Sequence, residues 1–177
     1  MKSPKRLGFV GSSIVLAVVF LGVGASIAQA QELVRWQDIV GIMQAANPVG
    51  SGTGTVTGGG QPWSTRGGQA VAHLRNGQVE FTVQGLVLAG GNAIGTAGTI
   101  TQVKGTLVCD TDGSAGEGNS VLVDTPPVPL SPQGDARFAG FLSGPVPPVC
   151  AGESDIAFLV RAVPNNRWIA NGAVRTP

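Results

Sequence analysis

The sequence has little of the chemistry on which most enzymes and metal sites depend. Its 177 residues contain no tyrosine, one histidine and two cysteines, and only 12% of them are charged. Such a chain cannot supply the four cysteines, or the two cysteines and two histidines, of the usual structural zinc sites. No serine lies in a G-x-S-x-G motif, and no second candidate base stands beside a nucleophile. The composition and motifs of the chain therefore give no indication of a hydrolase or of a zinc protein.

The chain also lacks an excess of positive charge. It carries eleven Lys and Arg against ten Asp and Glu, for a formal net charge of +1. Three of the basic residues, Lys2, Lys5 and Arg6, lie in a segment that we predict to be removed, which leaves eight basic and ten acidic residues. A chain without a basic excess creates no field that would hold a nucleic acid, so no nucleic-acid partner is expected.

The first 30 residues have the three parts of a secretory signal peptide. A basic start precedes an uncharged apolar stretch, and the segment ends in Ala28-Gln29-Ala30. Small residues in an A-x-A ending suit the shallow pockets of signal peptidase, which predicts cleavage after Ala30. A membrane anchor is the alternative, because the uncharged stretch is long enough for a marginal span. Cleavage predicts a secreted, periplasmic or cell-surface protein that keeps no membrane span.

The two cysteines, Cys109 and Cys150, both belong to the part that would be exported. An oxidising compartment favours a disulfide between them. The bond would close a loop of about 40 residues, which the chain-entropy model values at roughly 4 kcal/mol. No C-x-x-C motif is present, and a reactive thiol would need an electropositive setting. The sequence thus predicts one structural disulfide and no catalytic thiol.

Short strands separated by Gly and Pro turns predict an all-β fold. Val79, Phe81 and Val83 alternate with polar residues. This two-residue period is typical of a strand with one buried and one solvent-exposed face. The dipeptide Asn76-Gly77 is a strong signal for a two-residue hairpin turn. No segment keeps a helical period over three turns, and eight or nine short strands can be counted. This pattern predicts an Ig-like β-sandwich of short antiparallel strands, with a small closed β-barrel as the alternative.

Two proline-rich connectors favour the sandwich over the barrel. Residues 125–132 and 145–148 must be extended, and their prolines offer no ladder donors, so we interpret them as crossings between two sheets. The predicted organisation is a signal peptide over residues 1–30, an N-terminal strand and Gly-rich loop packed on the domain over 31–68, and a β-sandwich core over 69–177.

An acidic loop places Asp110, Asp112 and Glu117 within eight residues. Calcium takes several hard oxygen ligands, and a D-x-D-G sequence can supply them. The EF-hand pattern is not met, because Ser114 and Ala115 stand where it requires Asp or Asn and Gly. We therefore interpret the segment as a solvated acidic turn and expect no cofactor, with calcium at these three carboxylates as the alternative.

The tryptophans are candidates for sugar binding. They are Trp36, Trp63 and Trp168. Exposed indole rings stack on sugars in carbohydrate-binding β-sandwiches, although the core is the more frequent location of tryptophan in a small domain. The single histidine, His73, has no partner ligands and is interpreted as a strand residue rather than a metal ligand.

Arginines on the last two predicted strands are candidates for anion binding. They are Arg161, Arg167 and Arg175. Several arginines on one wet face of a sheet can bind a carboxylate or a sulfate. The alternative is that each forms a routine surface ion pair, for which Asp155, Glu153 and Glu80 are available.

Several strand segments, and the Gly-rich turns between them, show a family resemblance. The run from Val79 to Leu86, the segment from Leu107 to Asp110 and residues 155–163 resemble a group of small exported bacterial β-sandwich proteins of unassigned activity. The resemblance covers most of the chain after residue 30 and implies export and a β-sandwich, but no activity. The same segment also resembles the chordin-type domain. That family has pairs of histidines near this strand, and this chain has only His73, so none of the family's function is carried over.

These features together predict an exported, non-catalytic β-sandwich that serves as a cell-surface, envelope or matrix binding or structural module. Its partner would be an unknown surface or matrix component. Two alternatives remain: a small-molecule-binding or enzymatic β-barrel with the ligand in its mouth, and a calcium-stabilised adhesion domain. A cavity of about 300 Å³ or more, lined by Trp and Phe with convergent polar groups, would favour the barrel.

Overall fold

A computed structural model describes residues 33–115, 117–152 and 154–176 of the chain. The predicted signal peptide lies outside these residues. In the described part, no helix has the length and apolar character needed to cross a membrane. The helical elements found there are a 3-10 turn (Gly52–Gly54) and the short helix α1 (Val149–Gly152).

β-Strands make up ~48% of the described chain. They are β1 (Leu33–Gly41), β2 (Pro48–Val49), β3 (Val56–Thr57), β4 (Trp63–Ser64), β5 (Gly67–His73), β6 (Gln78–Gln84), β7 (Val87–Leu88), β8 (Gln102–Cys109), β9 (Val121–Asp124), β10 (Val128–Pro129), β11 (Ala136–Phe141), β12 (Ile156–Ala162) and β13 (Trp168–Thr176). The predicted all-β class is confirmed.

Nine of the described strands form a single antiparallel sheet. Their order is β10-β8-β12-β13-β1-β5-β6-β11, with β9 also beside β8. The sheet curls into a half-barrel, so that its two edges approach each other. Ser143, which follows β11, donates its N–H to Asp124 O of β9 at 2.8 Å. Two small sheets, β2–β3 and β4–β7, complete the described fold, and this arrangement does not confirm an Ig-like sandwich.

The first proline-rich connector runs along one strand instead of crossing between sheets. Both β9 and β10 pair with β8, at residues 106–109 and 102–103 of that strand. Between them, Thr125 N donates to Gly105 O at 2.8 Å, and Gly105 N donates to the Thr125 hydroxyl at 2.9 Å. Prolines are tolerated at a sheet edge because the outer side of an edge strand needs no donors. The interpretation of residues 125–132 as a crossing is therefore wrong.

The hairpin predicted at Asn76-Gly77 is present, but its turn is longer than two residues. His73 pairs with Gln78, so the intervening four residues form the loop. Gly77 N donates to His73 O at 2.8 Å, and Gly77 has a φ of +75°, which favours glycine at the last loop position. The prediction of a two-residue turn is wrong, because residues 74–77 all lie in the loop. Leu74 of this loop is buried, with 5% of its surface exposed.

An aromatic cluster is part of the buried core of the curled sheet. The ring centroid of Phe158 lies 5.4 Å from that of Trp36 and 5.5 Å from that of Phe81, and Phe138 lies 5.9 Å from Phe81. Glycine makes room for these rings, because a Cβ atom at Gly105 would lie 2.8 Å from Phe158 Cζ. The described interior is thus a packed core.

The Gly-rich segment over residues 47–58 is an ordered hairpin arm built on β2 and β3. At its base, Trp168 Nε1 donates to Asn47 O at 2.8 Å. At its tip, Ser51 N donates to the Ser120 hydroxyl at 2.7 Å. These anchors lie near opposite ends of the paired strands β8 and β12, so the arm runs along them. Both strands carry buried residues on both faces.

Candidate functional site

The solvent-facing side of β5, β6 and β11 carries a row of polar side chains. Along β6, Val79, Phe81 and Val83 are buried, as the two-residue period predicts, and the intervening residues face outward. Strand register places Thr82 between Gln69 of β5 and Arg137 of β11. We call this surface the polar face. Its outward side chains are those of Gln69, Glu80, Thr82, Gln84 and Arg137.

Two adjoining depressions mark the polar face. The larger is a shallow, open groove of about 500 Å³, and the smaller has a volume of about 80 Å³. Thr82 and Arg137 line both, so the two lie side by side, and together we call them the polar-face groove. Arg66, Gln84, Pro129 and Asp135 belong to its larger part.

The two arginines of the groove differ, because Arg66 has a charged partner and the side chain of Arg137 has none among the described residues. Arg66 Nη2 lies 3.4 Å from Asp135 Oδ1, but the two side chains are 70% and 49% exposed, so water weakens their attraction. Asp135 Oδ1 also accepts from Gly85 N at 2.9 Å, which holds that carboxylate in place. The side chain of Arg137 is exposed and makes no hydrogen bond or ion pair to any residue that the structure describes. Its guanidinium therefore offers five N–H donors to a ligand.

A second charged cluster lies elsewhere, on strands β8, β9 and β12. Asp124 Oδ2 accepts a hydrogen bond from Lys104 Nζ at 2.6 Å, and Asp124 Oδ1 accepts one from Arg161 Nη1 at 3.2 Å. The hydroxyl of Thr106 also donates to Asp124, at 2.6 Å. The side chains of Lys104 and Arg161 are only 15% and 12% exposed, so this cluster ties three strands together.

The three candidate arginines do not share one face. Arg161 pairs with Asp124 rather than with the acids considered from the sequence, of which Glu153 lies outside the described residues. Arg167 lies in the turn before β13 and donates from Nη1 to Gly58 O at 2.9 Å. Arg175 lies near the other end of β13 and donates from Nη1 to Ser154 O. The structure therefore does not assemble these three into one anion site.

The candidate tryptophans all lie in the core. Trp36 is 2% exposed, and Trp63 and Trp168 are each 4% exposed, so no indole face is open for a sugar ring to stack on. His73 ends β5 and is half-buried beside Gln78. Across the described ranges, no group of three or more His, Cys, Asp or Glu side chains is placed to hold a metal ion.

The acidic loop uses its carboxylates to hold its own turns. Asp110 is 1% exposed, and its Oδ1 accepts from Ala115 N at 3.1 Å. Asp112 Oδ1 accepts from Ser114 N at 2.9 Å. This backbone hydrogen bond is the main cause that lowers the pKa of Asp112 from its ordinary value of 3.8. The structure does not gather Asp110, Asp112 and Glu117 into a metal-holding group within the part it describes.

A third depression lies where the β4–β7 sheet meets β13 and has a volume of about 160 Å³. Its apolar lining includes Trp63, Leu88, Ile100 and Ile169. It is smaller than the roughly 300 Å³ at which ordinary ligand pockets begin. The larger part of the polar-face groove, of about 500 Å³, is large enough, but neither Trp nor Phe lines it. Phe81 and Phe138 line only the smaller part, of about 80 Å³. Neither depression meets the criterion set above for a barrel-type ligand site.

The candidates drawn from the sequence do not include Arg66 and Arg137. The alternation of β11 does place Arg137 outward, between the inward residues Ala136 and Phe138. Only the register between β6 and β11 brings Arg137 beside Thr82, and that pairing has no local sequence signal.

No protein-family model matches this chain, and no curated protein or solved structure matches it either. A functional assignment therefore depends on the side chains described above.

Proposed function

We propose that the protein is an exported, non-catalytic β-domain that binds a component of the cell surface, envelope or matrix through its polar-face groove. The observation that carries this proposal is the exposed Arg137 guanidinium at the junction of the two depressions, without a partner among the described residues. A cation in this position can form charge-assisted, bidentate hydrogen bonds with a carboxylate or sulfate group of a ligand.

The shape of the groove supports an extended ligand. Glu80, Thr82 and Gln84 follow each other along the outer side of β6. Alternate residues of a strand are about 6.6 Å apart, so this row is roughly 13 Å long. The row supplies a carboxylate, a hydroxyl and an amide, which contact several groups of a polymer chain more readily than one compact molecule.

The scaffold supports binding because it holds the groove in one arrangement. Strand β6 pairs with β5 on one side and with β11 on the other, so the polar face is built on three continuous strands. The disulfide between Cys109 and Cys150 joins β8 to α1. A preorganised surface loses less conformational entropy on binding. The disulfide also suits the oxidising compartment that the signal sequence predicts.

Export is tested by the mass of the mature protein. We expect secreted material to begin at Gln31, because the Ala28-Gln29-Ala30 ending directs cleavage after Ala30. Intact-mass measurement of protein expressed with its own N-terminus decides this. A mass that retains residues 1–30 would place the protein on the membrane and overturn the export step.

Binding is tested with fluorescently labelled mature protein on cells and envelope preparations of the source organism. We expect saturable binding that Arg137→Gln weakens at least about tenfold, or 1.4 kcal/mol. Arg35→Gln is the matched control, because Arg35 is an exposed arginine of the same sheet that lines neither part of the groove. A folded Arg137→Gln variant that binds like wild type would remove the groove from the proposal. An absence of saturable binding would remove the binding function itself.

A further inference from the structure

The cavity of about 160 Å³ at the end of the curled sheet is lined partly by side chains that strand pairing holds in place. Trp63 of β4 pairs with Leu88 of β7, and both side chains line the cavity. Trp63 N donates to Ile42 O at 2.8 Å, which fixes β4 against the main sheet. Ile169 of β13 lines the same cavity. We call it the Trp63 cavity.

The indole N–H of Trp63 has no acceptor among the described residues, although the side chain is only 4% exposed. The indole of Trp168 differs, because its Nε1 donates to Asn47 O at 2.8 Å. Every described side-chain nitrogen or oxygen that is sealed from solvent has a partner. Trp63 Nε1 is therefore not sealed. Trp63 is also one of the residues that line the cavity.

A glycine keeps the space beside this N–H open. A Cβ atom at Gly59 would lie 3.5 Å from Trp63 Nε1 and 3.3 Å from Ile169 Cγ2, and Gly59 itself lines the cavity. The free donor and the open space therefore coincide at Gly59.

We infer that the Trp63 cavity binds a small uncharged group of about the size of benzene that carries one hydrogen-bond acceptor, with Trp63 Nε1–H as the donor. The size follows from the volume, since roughly 150 Å³ is the volume of a cavity that holds one benzene molecule. The Trp63 cavity is partly open to solvent, and Gln61, Thr99 and Asn165 add polar side chains to its apolar lining. The acceptor follows from the indole, which can only donate. The lack of charge follows from the lining, which contains no charged side chain among the described residues, because an unpaired ion is costly to bury.

The same chemistry has two possible sources. It is present in a free small amide or ketone, and it is present in a Phe or Leu side chain with its peptide carbonyl on a partner protein. The inference does not rest on the polar-face groove, because the two sites share no lining residue. Each of the two proposals can therefore be refuted without affecting the other.

The test uses the full mature chain labelled with ¹⁵N and follows its indole Nε1–H resonances during titration with benzamide. We expect the Trp63 resonance, assigned with Trp63→Phe, to shift saturably, while the Trp168 resonance stays in place. Toluene lacks the acceptor and benzoate carries a charge, so each should bind at least tenfold more weakly than benzamide. No saturable shift at Trp63, or equal shifts of all indoles, would overturn the inference.

Two glycine variants provide the matched comparison. Gly59→Ala places one methyl group beside Trp63 Nε1 and should weaken benzamide binding at least tenfold. Gly144→Ala should not, because Gly144 does not line the cavity and a Cβ atom there would meet nothing within 4 Å. Thermal unfolding of both verifies that they fold. Equal benzamide affinity in the folded Gly59→Ala variant and in wild type would overturn the inference. N-acetyl-phenylalaninamide distinguishes the sources, since tighter binding than benzamide indicates a protein side chain and weaker binding a free molecule.

Discussion

Two arginines illustrate how burial changes the contribution of an ion pair. Arg66 meets Asp135 at 3.4 Å with both side chains largely in water, at 70% and 49% exposure. Arg161 meets Asp124 at 3.2 Å with only 12% of its own side chain exposed. Arg161 Nε also donates to Asn166 O at 2.8 Å. Water screens the first pair, whereas loss of the second removes hydrogen bonds from a partly desolvated carboxylate.

We expect Arg161→Met to lower the free energy of unfolding by about 1.5–3 kcal/mol, the usual range for a hydrogen bond to a charged group. Arg66→Met removes a pair of the same chemistry in water and should cost less than about 1 kcal/mol. Urea unfolding of both variants measures the difference. Equal losses in the two variants would contradict the role assigned to burial.

Asp112 should titrate below its ordinary value. The backbone N–H of Ser114 donates to its carboxylate and lowers the pKa from 3.8. A lowered folded-state pKa means that this contribution to stability is complete above the unfolded-state pKa and is lost as the pH falls through the folded-state pKa. Carboxyl NMR should give a midpoint below 3.8, and the difference in Tm between wild type and Asp112→Asn should narrow as the pH falls past it. A midpoint at or above 3.8 would refute the assignment.

Among the elements, strand β8 is shaped by its neighbours rather than by its own propensity. Glycine weakens the interior of a strand, and Gly105 lies in the middle of β8. A Cβ atom there would lie 2.8 Å from Phe158 Cζ and 3.0 Å from Phe81 Cε1. The two rings occupy the space that any other residue would need, so the core decides the residue at this position.

Gly105→Ala should therefore destabilise the protein by about 1–3 kcal/mol, the usual cost of overpacking a core. Gly60→Ala is the control, because its Cβ atom meets nothing within 4 Å. It should change stability by less than about 0.5 kcal/mol, as surface substitutions usually do. Guanidinium unfolding measures both. A neutral or stabilising Gly105→Ala would show that the rings move aside freely.

The loop between β8 and β9 should not depend on calcium for its stability. Asp110 and Asp112 already accept backbone N–H groups of Ala115 and Ser114. A ligand that binds only the folded state raises Tm. We expect the same Tm in chelator and in millimolar calcium. A rise of several degrees with calcium would instead favour the calcium-stabilised adhesion domain.

At the scale of the whole molecule, the disulfide joins distant parts of the chain. Cys109 ends β8 and Cys150 lies in α1, at a sequence separation of 41. Both cysteines are fully buried. The bond thus holds the second proline-rich connector and α1 against the sheet, and the described residues contain no free cysteine.

Replacement of Cys109 and Cys150 together by Ala should lower the free energy of unfolding by about 2–5 kcal/mol, the usual loss for a small secreted domain. Thermal or urea unfolding measures the loss. Thiol labelling of unfolded, unreduced wild type should find no free sulfhydryl. Two reactive thiols in native material would contradict both the bond and the oxidising compartment.

The sequence by itself determined the strand class, the inward residues of β6 and the pairing of the two cysteines. These features are local or combinatorial. The two-residue period of Val79, Phe81 and Val83 decides which side of a strand is buried, whatever its neighbours are. With two cysteines in the chain, only one intramolecular disulfide is possible.

Only the tertiary structure decided the curl of the sheet, the edge position of the Pro-rich segment and the place of Arg137 beside Thr82. It also decided that all three tryptophans are buried and that Trp63 lines a cavity. Each outcome depends on which strands pair and in what register. Pairing brings Trp36, Phe81 and Phe158 from three strands into one cluster. It cannot be predicted from one strand, since a strand's own residues specify its two faces but not its neighbours.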